Sequence, residues 1–179
     1  YGFWRCYDQS WSQKDFFEYG KFVEKNLPEY FSDQIIQLSN KDNKKINLGI
    51  LSADLKTGHS ITFFLRTILL NYNKDEIEIY LISNQKDPST VSAEISNLVF
   101  KTIDISQLTD LDALNKIRKL NLDIMIDVMG YTSRNRIGLF KNRIAKKQAI
   151  WMGYCNTTGL KNMDYIITDP NLSLIHISE

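Results

Sequence analysis

The sequence predicts an α/β fold in which helices cover both faces of a parallel β-sheet, preceded by a short helical segment. Two observations support this prediction. First, short runs rich in Val, Ile and Leu alternate with helix-like segments from residue 46 onward, and such runs are typical of strands buried on both faces of a parallel sheet. Second, 43% of the 179 residues are hydrophobic and 24% are charged, which is the composition of a globular protein with enough length for a sizeable core.

The first predicted element is a helical segment within residues 1–38. Residues 12–15, Ser-Gln-Lys-Asp, have the Ser-x-x-acid form of a capping box. The apolar residues that follow at helical spacing are Phe16, Tyr19, Phe22 and Val23. Pro28 ends this helix, because proline lacks an N–H and restricts the residue before it. The polar run 39–45 is predicted to be a linker or an exposed turn.

Strands and helices are then predicted to alternate. In order, the predicted elements are strand 46–51, helix 60–72, strand 77–82, helix 89–98, strand 99–103, helix 110–120, strand 124–128, a short helix around 136–140, and strands near Ala149 and Tyr165. Thr109 is the expected N-cap of the helix 110–120. In parallel sheets ligands bind at the carboxyl ends of the strands, so a site is expected in the loops that follow them.

The loop after the first strand, DLKTGHS, carries Asp54 and His59. His59 falls at the start of the next helix, whose positive end disfavours an imidazolium. A neutral imidazole can accept a hydroxyl proton or hydrogen-bond a sugar or phosphate oxygen, and Asp54 can orient that ring or act as the base itself. The residues alone are equally compatible with a structural role, in which Asp54 caps the helix and His59 fills its first turn.

The segment 148–169 places a strand, a loop and a second strand in a short space. Gly153 and the residues 156–159, Asn-Thr-Thr-Gly, form a loop whose backbone can approach a ligand closely and whose hydroxyls can hydrogen-bond it. An ordinary connection between two strands explains the spacing as well. However, the segment QAIWMGYCNTTGLKNMDYIITD resembles the W-L-G-Y-P-G-T-T-G-L-x-x-M-D-Y-x-I-x-D signature of the O-linked N-acetylglucosamine transferase and SPINDLY family, glycosyltransferase family 41.

Two further blocks carry the same resemblance. Residues 127–140 are similar to the family's D-L-x-G-H/Y-T…N-R…F block, and residues 48–65 are similar to its V-G-Y-V-S-x-D-F-x-x-H-S/P-V-x-x-F-L opening. Three blocks in the family's order are far more specific than any one of them. Together they extend the resemblance over about residues 45–169.

The resemblance implies a fold and an activity. Residues 45–171 would be the Rossmann-like amino-terminal catalytic lobe of a two-lobed (GT-B) inverting glycosyltransferase, after a helical segment at 1–44. Such an enzyme would move N-acetylglucosamine from UDP-GlcNAc to Ser or Thr of proteins. Two alternatives stay open: fucose from GDP-fucose, as in SPINDLY relatives, and a lobe that binds protein without chemistry. Residues 172–179 are predicted to be a non-native tail.

The implied partners are a nucleotide-sugar donor, a protein acceptor and a carboxyl-terminal lobe of the same chain, with no cofactor or metal. The resemblance places a catalytic pair on Asp54 and His59, and substrate contacts on Ser60, Arg136, Met152 and Gly153. In this chain four residues separate Asp54 from His59 where the family usually has three. Gly58 can absorb the extra residue by taking a positive φ. Asp127, at the end of a strand, is expected to cap the following turn.

Composition excludes several other classes. The net charge of +1, from 22 Lys and Arg against 21 Asp and Glu, gives no reason to expect nucleic acid or a membrane as partner. The two cysteines, Cys6 and Cys155, make no disulfide framework, so a cytoplasmic location is expected. A dinucleotide dehydrogenase is a weaker candidate, since no G-x-G-x-x-G follows a strand. A docking surface is suggested by the aromatic residues Phe3, Trp4, Tyr7 and Trp11.

Overall fold

Six parallel strands form one sheet in the computed structural model, which describes residues 10–31 and 45–169. The strands are β1 Ile46–Ser52, β2 Ile77–Ser83, β3 Lys101–Asp104, β4 Ile124–Asp127, β5 Lys147–Trp151 and β6 Tyr165–Ile167. The helices in the described ranges are α1 Gln13–Asn26, α2 Ser60–Asn71, α3 Ala93–Ser96, α4 Asp110–Arg118 and α5 Ile137–Lys141, with a 3-10 turn at Pro88–Thr90. The predicted α/β architecture is confirmed.

The order of strands in the sheet is β3-β2-β1-β4-β5-β6. The chain therefore builds outward from β1 to β3, returns to the centre, and builds outward again from β4 to β6. The order reverses between β1 and β4, which pair directly, with Leu51 beside Asp127. In open parallel sheets the crevice at the carboxyl ends of such a pair is the usual ligand site.

Hydrophobic cores lie on both faces of the sheet. Successive residues of β1 point to opposite faces, so Leu51 joins one core and Ile50 the other. The first core packs α4 and α5 on the sheet, and the second packs α2 and α3. This two-sided burial is why the strands are continuous runs of Ile and Leu rather than alternating apolar and polar residues.

The capping box of α1 is present. The Ser12 Oγ accepts a hydrogen bond from the Asp15 N–H, and the Asp15 carboxylate accepts one from the Ser12 N–H at 2.7 Å. The helix ends at Asn26, as the proline at position 28 predicts. The prediction that Phe22 belongs to the buried face is wrong, because this side chain is 66% exposed.

Two element bounds differ from the prediction. The segment 89–98 is a 3-10 turn followed by the four-residue α3, because Val91 is extended and makes an isolated antiparallel bridge with Lys56. The strand predicted at 99–103 runs instead from Lys101 to Asp104. Among the described residues, no helix is long and apolar enough to cross a bilayer. The predicted tail 172–179, and Phe3, Trp4 and Tyr7, lie outside the described residues.

Candidate active site

One cleft opens at the carboxyl edge of the sheet, with a cavity volume of about 1300 Å³. Its walls are the loops after β1, β4 and β5 together with residues 60–68 of α2. Because β4 pairs with both β1 and β5, these three loops are neighbours. Five of the six predicted site residues line the cleft: Asp54, His59, Ser60, Met152 and Gly153. Arg136 does not.

Asp54 and His59 face each other across the loop that separates them. The His59 Nε2 lies 3.8 Å from the Asp54 Oδ1, and both side chains are partly exposed, at 30% and 24%. Gly58 takes a φ of +80°, and a Cβ there would meet open space. The predicted positive φ of Gly58 is confirmed, and the loop brings the Asp54 and His59 side chains together.

His59 is itself the N-cap of α2, and its Nδ1 accepts a hydrogen bond from the Ile61 N–H at 3.3 Å. This bond needs the lone pair of Nδ1, so the ring that makes it is neutral and carries its proton on Nε2. The Nε2 is the ring nitrogen that lies 3.8 Å from the Asp54 carboxylate. His59 is thus arranged as a hydrogen-bond donor, and Asp54 as the group that can accept a proton. Asp54 does not cap the helix.

Arg134 enters the cleft from the loop after β4. Its NH2 lies 3.7 Å from the Asp54 Oδ1, the same oxygen that His59 approaches. The residue has a φ of +59°, a conformation that costs energy for a side chain other than glycine and that is often found at functional sites. Arg134 was not among the predicted site residues, although it belongs to a polar Thr-Ser-Arg-Asn run in the loop that follows a buried strand.

Arg136 has a structural role in this fold. Its guanidinium donates hydrogen bonds to the carbonyls of Ile105 and Leu108 and forms a 2.8 Å ion pair with Asp110 at the start of α4. Only 13% of the side chain is exposed. These contacts join the loop after β4 to the loop after β3 and to the start of α4. The geometry does not favour the substrate contact predicted for this residue.

The turn after β5 forms the opposite wall of the cleft. The Gly153 N–H donates to the Trp151 carbonyl at 2.8 Å, which closes a tight turn around Met152 with a φ of +58°. A Cβ on Gly153 would lie 1.9 Å from the Val128 carbonyl oxygen. Glycine is therefore required here by the packing of the β5 turn on the β4 loop. The sequence analysis had attributed it to close approach of a ligand.

The Asn-Thr-Thr-Gly residues at 156–159 pack away from the cleft. The Thr158 carbonyl accepts a hydrogen bond from the Tyr131 hydroxyl at 2.6 Å. A Cβ on Gly20 of α1 would lie 2.1 Å from that same carbonyl oxygen. The idea that this loop approaches a ligand is therefore replaced by a structural one: the loop docks α1 onto the lobe. Trp11 packs edge-to-face on Tyr19 of α1, so it belongs to this internal contact.

Tyr131 links α1 to the cleft. Its ring lines the cleft and makes edge-to-face contacts with Tyr19, at 5.4 Å between centroids, and with Tyr154, at 5.3 Å. Burial raises the pKa of the Tyr131 hydroxyl above its usual value, so this group stays protonated and acts as a hydrogen-bond donor. Sequence analysis assigned it no role, since an aromatic residue in a loop gives no sign of which partners it will meet.

Asp127 caps the turn that begins the loop after β4, as predicted. Its carboxylate accepts hydrogen bonds from the Met129 N–H at 2.9 Å and the Gly130 N–H at 3.0 Å. Burial raises the pKa of Asp127 to about 7, although the two N–H bonds oppose the increase. Over the described ranges, no group of three or more His, Cys, Asp or Glu is placed to hold a metal ion. That the chemistry needs no metal stays a prediction.

The model of glycosyl transferase family 41 matches residues 23–179. The chain belongs to this family of glycosyltransferases. A tomato (Solanum lycopersicum) relative, named probable UDP-N-acetylglucosamine--peptide N-acetylglucosaminyltransferase SPINDLY, is 28% identical over an alignment of 176 positions. The match covers 90% of this chain and 18% of the relative. A protein of the same name from Arabidopsis thaliana is 32% identical over 144 residues, covering 74% of this chain and 15% of the relative.

The fold of this family 41 chain is also similar to a solved structure. A mutant O-GlcNAc transferase from Thermobaculum terrenum matches with a TM-score of 0.72 and 22% identity, covering 88% of this chain and 29% of that one. The predicted fold class, the Rossmann-like lobe of a GT-B glycosyltransferase, is confirmed. The chain spans less than a fifth of the length of the curated relatives it matches.

Proposed function

We propose that this chain is the amino-terminal catalytic lobe of an inverting protein O-GlcNAc transferase, which moves N-acetylglucosamine from UDP-GlcNAc to Ser or Thr side chains. The observation that carries the proposal is the pair of Asp54 and His59, held 3.8 Å apart in the cleft at the point where the strand order reverses. Membership of family 41 and the names of the relatives support it.

The geometry suggests different roles for Asp54 and His59 in the reaction. In the proposed reaction the acceptor hydroxyl oxygen attacks the anomeric carbon of the sugar, and the bond from that carbon to the diphosphate oxygen breaks. Asp54 accepts the hydroxyl proton, and the nucleoside diphosphate leaves with the bonding electron pair. The Nε2–H of His59 donates to a substrate oxygen and so orients it. The turn of Met152 and Gly153 and the exposed hydroxyl of Ser60 bound the space for the sugar.

A second lobe completes the proposed enzyme. The relatives are more than five times as long as the matched segment, and we place most of the nucleotide contacts in a lobe that follows this one in the same protein. Residues 45–171 would form the lobe described here, after the helical segment at 1–44. The absence of a disulfide framework favours a reducing compartment, for which we propose the cytoplasm.

The sugar is tested by titrating the isotope-labelled chain with UDP-GlcNAc and, separately, with GDP-fucose, while recording amide chemical shifts. We expect weak binding of UDP-GlcNAc with amide shifts confined to the cleft, at Ile61, Arg134 and Gly153, because these residues line it. Larger shifts with GDP-fucose would favour the fucosyl alternative. Shifts with a Ser/Thr peptide but with neither donor would favour a non-catalytic protein-binding lobe.

A further inference from the structure

The guanidinium of Arg134 is held in the cleft without a strong protein partner. Its side chain is 42% exposed, and its 3.7 Å approach to Asp54 is too long for a hydrogen bond. Within the part of the chain that the structure describes, this guanidinium donates no hydrogen bond. Arg136, two residues along, is the opposite case, with its guanidinium bonded to carbonyls and to a carboxylate. Arg134 therefore keeps its planar set of N–H donors available to a ligand.

The backbone of Arg134 is held in place and sets the direction in which its side chain leaves the loop. Arg134 has a φ of +59°, and its carbonyl accepts a hydrogen bond from the Asn84 side chain at 2.9 Å. Asn84 follows β2, on the other side of β1 from β4. The unfavourable φ is thus maintained by a contact from a neighbouring loop, and it directs the side chain into the cleft rather than toward the partners that Arg136 uses.

Two hydrogen-bond donors converge beside Asp54. The Arg134 NH2 and the His59 Nε2 lie 3.7 and 3.8 Å from the same oxygen, Asp54 Oδ1. Neither contact is a good hydrogen bond, so the Arg134 guanidinium can turn from the carboxylate to an oxyanion that enters the cleft. Arginine matches the geometry of phosphate oxygens with two parallel N–H bonds, and such charge-assisted bonds are stronger than those between neutral groups.

We infer, on the basis of the proposed function, that Arg134 binds phosphoryl oxygens of the nucleotide-sugar donor. On binding, its guanidinium exchanges the long contact with Asp54 for phosphoryl oxygens, while Asp54 and His59 stay on the acceptor side of the cleft. Phosphoryl oxygens reach this position either as the diphosphate of a nucleotide or as free pyrophosphate.

The test measures the affinity of the chain for UDP, for inorganic pyrophosphate and for uridine, with amide shifts to locate each ligand. We expect Arg134→Gln to weaken UDP and pyrophosphate binding by at least about tenfold and to leave uridine binding unchanged. Arg134→Gly should give the same loss. Because glycine adopts a positive φ at no steric cost, this second variant separates loss of the guanidinium from loss of the fold.

Arg66→Gln is the matched control. Arg66 is exposed to a similar extent, 45%, and pairs with Glu94 outside the cleft, so this variant removes the same charge and should leave all three affinities unchanged. Weaker binding of UDP but not of pyrophosphate would still assign the site to a nucleotide diphosphate. Unchanged binding of both by Arg134→Gln and Arg134→Gly would overturn the inference, even if the chain binds UDP-GlcNAc and the proposed function stands.

Discussion

Replacing Gly153 with Ala is expected to destabilise the lobe by about 3 kcal/mol or more. The added Cβ would lie 1.9 Å from the Val128 carbonyl oxygen and 2.8 Å from its carbon. Both atoms are backbone, and they directly follow β4, which pairs with β5 through Asp127 and Ile150. They cannot move away without separating the ends of these two strands. Because the φ of Gly153 is not positive, the cost is steric and not conformational.

Gly138→Ala is the control for this prediction. A Cβ on Gly138 would lie 3.3 Å from the Asp110 Oδ2 and 3.5 Å from the Leu27 Cδ2, and both are ends of side chains that can move. Gly138 also lies inside α5, where alanine is favoured over glycine by up to about 1 kcal/mol. Urea unfolding should therefore show a small effect for Gly138→Ala. An equally small effect for Gly153→Ala would mean that the turn after β5 does not pack on Val128 as described.

Asp127 is expected to make the stability of the lobe fall as pH rises from about 4 to 7. Burial raises the pKa of its carboxyl from the ordinary 3.8 to about 7. Between these two values the folded protein binds more protons at this site than the unfolded chain does. The free energy of unfolding then decreases with pH, by at most about 1.4 kcal/mol per unit. The stability that this proton linkage adds is complete below the pKa of Asp127 in the unfolded chain. It is lost as the pH rises through the pKa of Asp127 in the folded protein.

The measurement is the difference in unfolding free energy between the wild type and Asp127→Asn at pH 5, 6, 7 and 8. Asn offers one oxygen to the two N–H donors of Met129 and Gly130, so the variant loses a hydrogen bond at every pH. The stability difference should shrink toward pH 7 and then level off. Asp87→Asn is the control, since hydrogen bonds from Ser89 lower the pKa of Asp87 and its difference should be flat. A flat difference for Asp127→Asn would contradict the raised pKa.

The sheet could be predicted from sequence because its signals are local. Runs of Ile and Leu mark strands buried on both faces, and the Ser12–Asp15 capping box and Pro28 mark the ends of α1. Gly58 was predictable as well, because an extra loop residue needs a left-handed position and glycine adopts one freely. The prediction of a continuous helix over 89–98 was wrong because of one long-range contact. Val91 forms a bridge with Lys56 and is extended, so the helix cannot run through it.

The details of the cleft were less predictable, since they depend on loop backbone conformation. Arg134 and Arg136 are two residues apart and chemically identical, yet a positive φ directs only the first into the cleft. The tautomer of His59 likewise follows from its bond to the Ile61 N–H, which exists only once α2 has formed. Family resemblance located the right loops, but the choice of side chain within each loop is a property of the folded chain.

The central claim is that the imidazole of His59 takes part in sugar transfer, and His59→Asn tests it most directly. Asn is among the best N-cap residues, so it retains the hydrogen bond to Ile61 and the stability of α2 while removing Nε2. His59→Ala removes both functions and should cost about 1 kcal/mol of stability as well.

The measurement is kcat/KM for transfer of labelled N-acetylglucosamine from UDP-GlcNAc to a Ser/Thr peptide by the full-length protein that contains this lobe. We predict a loss of about 100-fold or more for His59→Asn with unchanged unfolding free energy. Wild-type transfer by His59→Asn would show that the histidine only caps the helix and would contradict the account.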